Sequence, residues 1–485
     1  MSATLGGFPA PENTMSAPSV PIREPATDLD SIPETVARLR RGFESGRTRP
    51  LAWRREQLER VERMVIDSAD ELLAAMQADL GKPELEAWLA EIHLVKTEAK
   101  LARRKLARWA KPRRAATPLA LRPAKARIVP EPLGVVLIIA PWNYPVQLVL
   151  APLISAIAAG NTVLVKPSEL APNTSAALAR LISRNLDPDA VAVVEGGVAE
   201  TTALLVERFD HILYTGNGAV GRIVLEAAAR HLTPVTLELG GKSPCLVDQS
   251  ADLEVAARRI AWGKFLNAGQ TCIAPDYVLV EASREGALIE ALARTLREFY
   301  GDDPRRSPDY ARIVNVRHLR RLVSLLKGSD VAIGGESDEA ERYLAPTVLR
   351  GVDPQSAVMS DEIFGPILPV LAVRDMDEAL RFVNARPKPL AFYVFTGDPR
   401  FADRVSAETS SGALGVNATI WHAGNPHLPF GGVGASGMGA YHGQSGFEVF
   451  SHRKPVVTRP TRFDLRLLYP PYKRSTTALV KRLPS

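Results

Sequence analysis

Pro234-Val235-Thr236-Leu237-Glu238-Leu239-Gly240-Gly241 divides this sequence in two. The run from Pro234 to Leu239 is β-type, and the glycine pair stops it. Upstream, the strand-like runs Gly134–Ala140, Thr162–Val165, Ala190–Val194 and His211–Tyr214 alternate with helical stretches. Pro145 reads as a first-turn residue of the helix after the first run, and the next helix starts near Pro172. This alternation predicts a doubly wound parallel sheet, which binds ligands beyond the carboxyl ends of its strands. Downstream of Gly241 a second alternation begins. Its helices read as 253–266, 287–299 and 318–326, and its strands as 277–280, 367–372, 391–395 and 414–417. The fold class is therefore α/β, with two α/β domains.

The ends read differently. Residues 1–30 are rich in Pro, Ser, Thr and Ala and are expected to form a disordered tail. From Ile32 to Trp109 the pattern is helical, with Leu58, Val61, Met64 and Val65 on one face, until Lys111-Pro112-Arg113-Arg114 stops it. No charged side chain occurs from Pro132 to Val165, a length that suggests a membrane span. Pro141, Pro145 and Pro152 would break a lipid-exposed helix there, so buried strands and helices explain the stretch and no span is expected. The basic tail 456–485 is interrupted by Pro470, Pro471, Lys473 and Arg474; it cannot span, and weak peripheral membrane attachment stays open. A net charge of +6 raises nucleic acid as a partner. The basic clusters near Arg103 and Lys111 instead alternate with Ala, Leu and Trp as on a solvated helix face, and no nucleic-acid motif is present, so none is expected. Two cysteines build no disulfide framework and the amino terminus shows no secretory pattern, which makes the cytoplasm the expected compartment.

Two residues point to chemistry. Cys272 ends the stretch Lys264-Phe265-Leu266-Asn267-Ala268-Gly269-Gln270-Thr271-Cys272, and Glu238 closes the dividing strand. A thiolate is a strong nucleophile and a carboxylate can manage protons or activate water, so the pair suits covalent catalysis. A buried core cysteine is the plain alternative, and the one expected for Cys245. Gly216-Asn217-Gly218-Ala219-Val220-Gly221 spells G-x-G-x-x-G between a strand and a helix, the pattern of a dinucleotide turn. Glu238 lies near the distance at which such a turn wants an acid for the adenosine ribose, so two roles compete for it. The turn follows the fourth strand, however, where the ordinary fingerprint follows the first. Eight histidines without ligand spacing, and cysteines without a C-x-x-C partner, predict no metal. Glycines 431, 432, 434, 437 and 439 predict a shaped loop, with His442 beyond it a structural hydrogen-bonding residue.

The segments Pro141-Trp142-Asn143-Tyr144-Pro145, Lys166-Pro167-Ser168-Glu169, Leu237-Glu238-Leu239-Gly240-Gly241-Lys242, Gly269-Gln270-Thr271-Cys272 and Glu362-Ile363-Phe364-Gly365-Pro366 occur in an order that resembles the aldehyde dehydrogenases. The ending Pro429-Phe430-Gly431-Gly432-Val433-Gly434, with Ser436-Gly437-Met438-Gly439-Ala440-Tyr441-His442-Gly443, is similar to the class 3 branch, which includes fatty-aldehyde dehydrogenases. The resemblance runs from about Gly42 to Ser451. It implies an aldehyde dehydrogenase-like fold: an NAD-binding domain over 31–111 and 133–235, a catalytic domain over 236–425, and a small β bridging and oligomerisation element over 112–132 and 426–455. It also implies a homodimer.

The implied activity is NAD(P)-dependent oxidation of an aldehyde, medium- to long-chain or aromatic, through a thiohemiacetal and a thioester on Cys272. Asn143 and the Cys272 main-chain N–H would hold the alkoxide and Glu238 would activate water, although Asn143 also reads as a cap for the following helix. The implied cofactor residues are Trp142, Lys166, Glu169, Gly216, Gly221, Glu362 and Phe364. Glu169 would disfavour a ribose 2′-phosphate and Lys166 would soften that, hence NAD with some use of NADP. Read without the family, Lys166 and Glu169 belong to a solvated loop and Phe364 to the core. Tyr144, Trp421 and Phe430 are candidates for an apolar aldehyde tunnel. Two rivals stay open: a CoA-acylating enzyme, which needs no water-activating Glu238, and a cofactor-binding protein without turnover.

Overall fold

The computed structural model describes residues 27–462, 464 and 469–472. The tail up to residue 26, and most of the basic carboxyl tail, the candidate for weak peripheral membrane attachment, lie outside the described residues. Backbone order begins before residue 31: the Thr27 N–H donates to the Glu195 carbonyl (3.0 Å), and the Thr27 hydroxyl accepts the Glu195 N–H (2.9 Å).

The first sheet holds five parallel strands in the spatial order Val191–Val193, Thr162–Lys166, Val135–Ile139, His211–Gly216 and Val235–Leu239. Val135–Ile139 and Thr162–Lys166 are buried throughout, as uninterrupted Val/Ile/Leu runs must be when helices cover both faces. The winding reverses between Val135–Ile139 and His211–Gly216, and this switch point opens the crevice where such sheets bind ligands. Val235–Leu239 is hydrogen-bonded into this sheet, so a boundary at 235/236 would cut a strand; the chain leaves the sheet at Leu239. Gly437–Met438, expected in the bridging element, also pairs here, antiparallel to Leu237 and Glu238.

The first crossover corrects one expectation. Its helix spans Gln147–Ala159, with Pro145 in the preceding turn and Pro152 inside a helix that is buried on every side. Among the described residues no helix is long and apolar enough to cross a membrane.

Gly240 to Ser243 carry the chain into a second sheet of seven strands. Their order is Asp330–Ile333, Thr347–Arg350, Ile367–Val373, Tyr277–Glu281, Pro244–Val247, Ala391–Phe395 and Ala413–Val416, parallel except for the first. Cys245 is fully buried in this sheet. Strands of the first sheet thus deliver their carboxyl ends, and strands of the second their amino ends, to one shared space. Amino-terminal helices pack around the first sheet through Leu58, Val61, Met64 and Val65. The small third sheet joins Arg113–Ala115, Lys125–Pro132 and Ser451–Thr458, three residues beyond the expected limit of 455.

Candidate active site

The thiol loop is held in a conformation it would not choose alone. Asn267, Ala268 and Gly269 all have left-handed backbone, with φ of 53°, 52° and 73°. For non-glycine residues this costs about 1–2 kcal/mol each, so the surroundings must over-determine it. They do. The Asn267 N–H donates to the Glu86 carboxylate (3.0 Å), and Asn267 Nδ2 donates to the Asn143 carbonyl (2.9 Å). Gln270 Nε2 donates to the Asn267 and Arg312 carbonyls, while its Oε1 accepts the Val314 N–H. The loop thereby presents a half-buried Cys272.

Asn143 meets this loop directly: its Nδ2 donates to the Gln270 carbonyl at 3.1 Å. It does not cap the following helix. The Val146 and Gln147 N–H groups go to Glu91 Oε2, at 2.7 and 3.1 Å. Tyr144 places its hydroxyl 2.7 Å from Thr271 Oγ1, and its ring forms an apolar wall with Leu148 and Leu266, flanked by Ala90 and Ile420. The other two tunnel candidates have different surroundings. Trp421 is 71% exposed, while its neighbour Ile420 flanks the wall. Phe430 is buried in a ring cluster, stacked on His422 and edge-on to Tyr441 and His442.

Glu238 sits in its strand between Thr215 and Gly437, 2% exposed, and neither carboxyl oxygen has a hydrogen-bond partner. Burial pushes its pKa well above the ordinary carboxylate range. Burial also pushes the Cys272 thiol up, reinforced by Glu362 and Glu238; the N–H groups of Cys272 and Ile273 act in the opposite sense. Glu362 is raised to about 8 by burial and by Asp276, against the Gly241 N–H, Lys242 and Lys264. Glycine at 240 makes room for it, since a Cβ there would lie 1.9 Å from Glu362 Oε2. Sequence reasoning did not assign Tyr441. It is fully buried, its hydroxyl has no partner, and burial followed by Glu238 and Cys272 raises its pKa. His442 stacks on Tyr441 and stands 3.5 Å from Glu98, a packing position. A buried, unpaired carboxyl whose charge reaches a half-buried thiol marks a reactive centre.

The crevice at the switch point suits a dinucleotide. Lys166 is 3% exposed and donates to the Pro167 carbonyl and to Glu169 Oε2, both at 3.0 Å, so the solvated-loop reading fails for it. Trp142 packs edge-on to Phe364 with centroids 5.4 Å apart. Gly216 leaves room for the Tyr214 ring, Gly221 packs on Leu239, and Gly218 has nothing within 4 Å of where a Cβ would stand. That open turn heads the helix Gly218–Ala229, where main-chain N–H groups favour an anion such as a pyrophosphate. Among the described residues no group of three or more His, Cys, Asp or Glu could hold a metal ion.

A doubly wound sheet with an open glycine turn at a helix start, in one chain with a buried acid and a half-buried thiol, fits a nicotinamide-dependent α/β oxidoreductase. Residues 19–456 match the family described as "Aldehyde dehydrogenase family". The chain is 54% identical over 448 residues to "Aldehyde dehydrogenase family 3 member A2" of Mus musculus, covering 92% of this chain and 93% of that protein. It is 50% identical over 445 residues to "Aldehyde dehydrogenase, dimeric NADP-preferring" of Canis lupus familiaris, covering 91% and 98%. The solved substrate-bound state of Staphylococcus aureus AldH superposes with a TM-score of 0.91 at 47% identity, covering 93% and 99% of the two chains. The chain belongs to the aldehyde dehydrogenase family, in its class 3 branch. It is an oxidoreductase that oxidises an aldehyde group with NAD(P).

Proposed function

We propose that Cys272 is the nucleophile, Asn143 an alkoxide donor and Glu238 the base, acting on an apolar aldehyde. The Cys272 thiol first gives its proton to water; the thiolate sulfur then adds to the carbonyl carbon, and the carbonyl π pair moves to oxygen. An amide nitrogen carries two N–H bonds; one fixes Asn143 to Gln270, and the other serves the alkoxide with the Cys272 main-chain N–H. Bound NAD(P)+ supplies the hydride acceptor when the alkoxide collapses to the thioester. Glu238 then takes a proton from water as the water oxygen attacks the thioester, and the thiolate leaves with its electron pair. The observation that carries this reading is the unpaired, buried Glu238 carboxyl within electrostatic reach of Cys272.

Trp142, Lys166, Glu169, Gly216, Gly221, Glu362 and Phe364 hold the cofactor in this reading. Apolar character at Tyr144, Leu148, Leu266 and Ile420 supports aliphatic or aromatic substrates. A homodimer is favoured by the relative named as dimeric and by two open strand edges, Ala413–Val416 and Ser451–Thr458, which a second copy can cover. Two free cysteines favour the reducing cytoplasm.

The test is NAD(P)H formation across straight-chain and aromatic aldehydes, with size-exclusion chromatography for the dimer. Full turnover after alkylation of Cys272 would refute the covalent route.

A further inference from the structure

We infer that Lys82 and Glu91, an ion pair remote from the thiol in sequence, are positioning residues that aim Asn143 at the reacting carbonyl. The inference rests on the proposed role of Asn143. Lys82 is 1% exposed and Glu91 is fully buried, and the Lys82 ammonium donates to Glu91 Oε1. Enclosing two charges opposes folding unless further hydrogen bonds compensate, and such pairs are weak devices for stability. Here every further bond of the pair goes to one turn. Lys82 Nζ donates to the Asn143 carbonyl at 2.9 Å, and Glu91 Oε2 accepts the N–H groups of Val146 and Gln147.

Lys82 also stands 4.1 Å from the centroid of the Tyr144 ring, whose hydroxyl reaches Thr271 beside the thiol. The Asn143 carbonyl is thus shared between Lys82 and Asn267 Nδ2, the latter from the thiol loop itself. Glu91 is delivered by a π-helical turn, Trp88–His93, set between the helices Glu84–Ala87 and Leu94–Trp109. Such turns recur at functional sites, because the extra residue re-aims a side chain. The pair holds the main chain of the turn Asn143–Gln147, from which the Asn143 side chain reaches the Gln270 carbonyl.

Displacement of a catalytic donor by about 1 Å can lower turnover about 10²-fold. The experiment is a double-mutant cycle on the full chain: Lys82→Met, Asn143→Ala and the double variant, read by the pre-steady-state burst of NAD(P)H, kcat, and cofactor Kd by titration. Lys82→Met is expected to lower the burst rate about 10²-fold with the cofactor Kd unchanged, and to change it less than twofold when Asn143 is already Ala. Equal losses in both backgrounds, or no loss in either, overturn the inference. Unchanged turnover in Asn143→Ala alone overturns the reading of Asn143 and the inference with it. Glu91→Gln, which keeps an oxygen for Val146 and Gln147, enters the same cycle if Lys82→Met does not fold. Lys82→Arg is expected to restore part of the burst, which a general packing defect would not predict.

Discussion

The Asn143 side-chain amide donates to the main-chain oxygen of Gln270 at 3.1 Å, which ties the turn after the first sheet's opening strand to the loop that carries the thiol. The two residues lie in loops beside different sheets and stand 127 positions apart in the chain. Their bond joins the two loops into one site.

Cys272→Ala is expected to abolish aldehyde oxidation while leaving NAD(P) affinity within about twofold, since the proposed route needs the sulfur for the covalent bond and does not use it to hold the cofactor. Steady-state kinetics and titration of the cofactor on the variant check this. Residual turnover above the uncatalysed rate would contradict a thioester route.

Glu238→Gln is expected to keep the first burst of NAD(P)H and slow later turnover by about 10²–10⁴-fold, because in the proposed route only thioester hydrolysis needs the base. The pH sense follows from the raised pKa of Glu238: its base form accumulates only as pH rises, so turnover should climb with pH and the Gln variant should lose that limb. A pH profile of kcat for the two proteins reads the difference directly.

Gly240→Ala is expected to raise the KM for NAD(P) more than that for aldehyde, as the new Cβ would occupy the place of Glu362 Oε2. Near-unchanged cofactor KM would show that Glu362 is not needed there.

Glu362 also carries a stability prediction. Its folded pKa of about 8 lies above the ordinary 4.5, so between those values the unfolded chain has released a proton that the folded chain retains. Stability from this group is therefore full below about pH 4.5 and is lost as pH rises towards 8. Glu362→Gln should melt at a temperature less dependent on pH across that window, measured by calorimetry from pH 5 to 8.5.

Glu169→Gln is expected to shift preference towards NADP, as it removes a carboxylate that would repel a 2′-phosphate while Lys166, 3.0 Å away, keeps its charge. The ratio of kcat/KM for the two cofactors measures it; a ratio unchanged within error would place the adenosine ribose elsewhere.

Much of the fold was legible because parallel strands buried on both faces need apolar residues at every position. That signal put Ala391–Phe395 at its observed bounds and the other strands read from the sequence within a residue or two, but it did not single out Pro244–Val247 or Thr347–Arg350, core strands of only four residues. Helix starts were less legible: Pro145 can begin a helix by its own φ, but Glu91 caps the amide groups one turn later and sets the start at Gln147. In the site, Cys272, Glu238 and Asn143 could be picked from their motifs. Lys82, Glu91 and Tyr441 could not, because a buried lysine, glutamate or tyrosine looks locally like a surface one.

By itself, then, the chain specified two strand–helix alternations, a thiol ahead of the second one's next strand, and an acid at the junction between them. Tertiary structure alone decided that Trp421 faces solvent, that Glu238 lies unpaired between Thr215 and Gly437, and that Lys82 and Glu91 stand behind Asn143. The reason is range. Hydrophobic periodicity is written over a few neighbouring residues, whereas a buried polar group takes its meaning from partners 55 to 127 positions away, which only folding brings within hydrogen-bond distance.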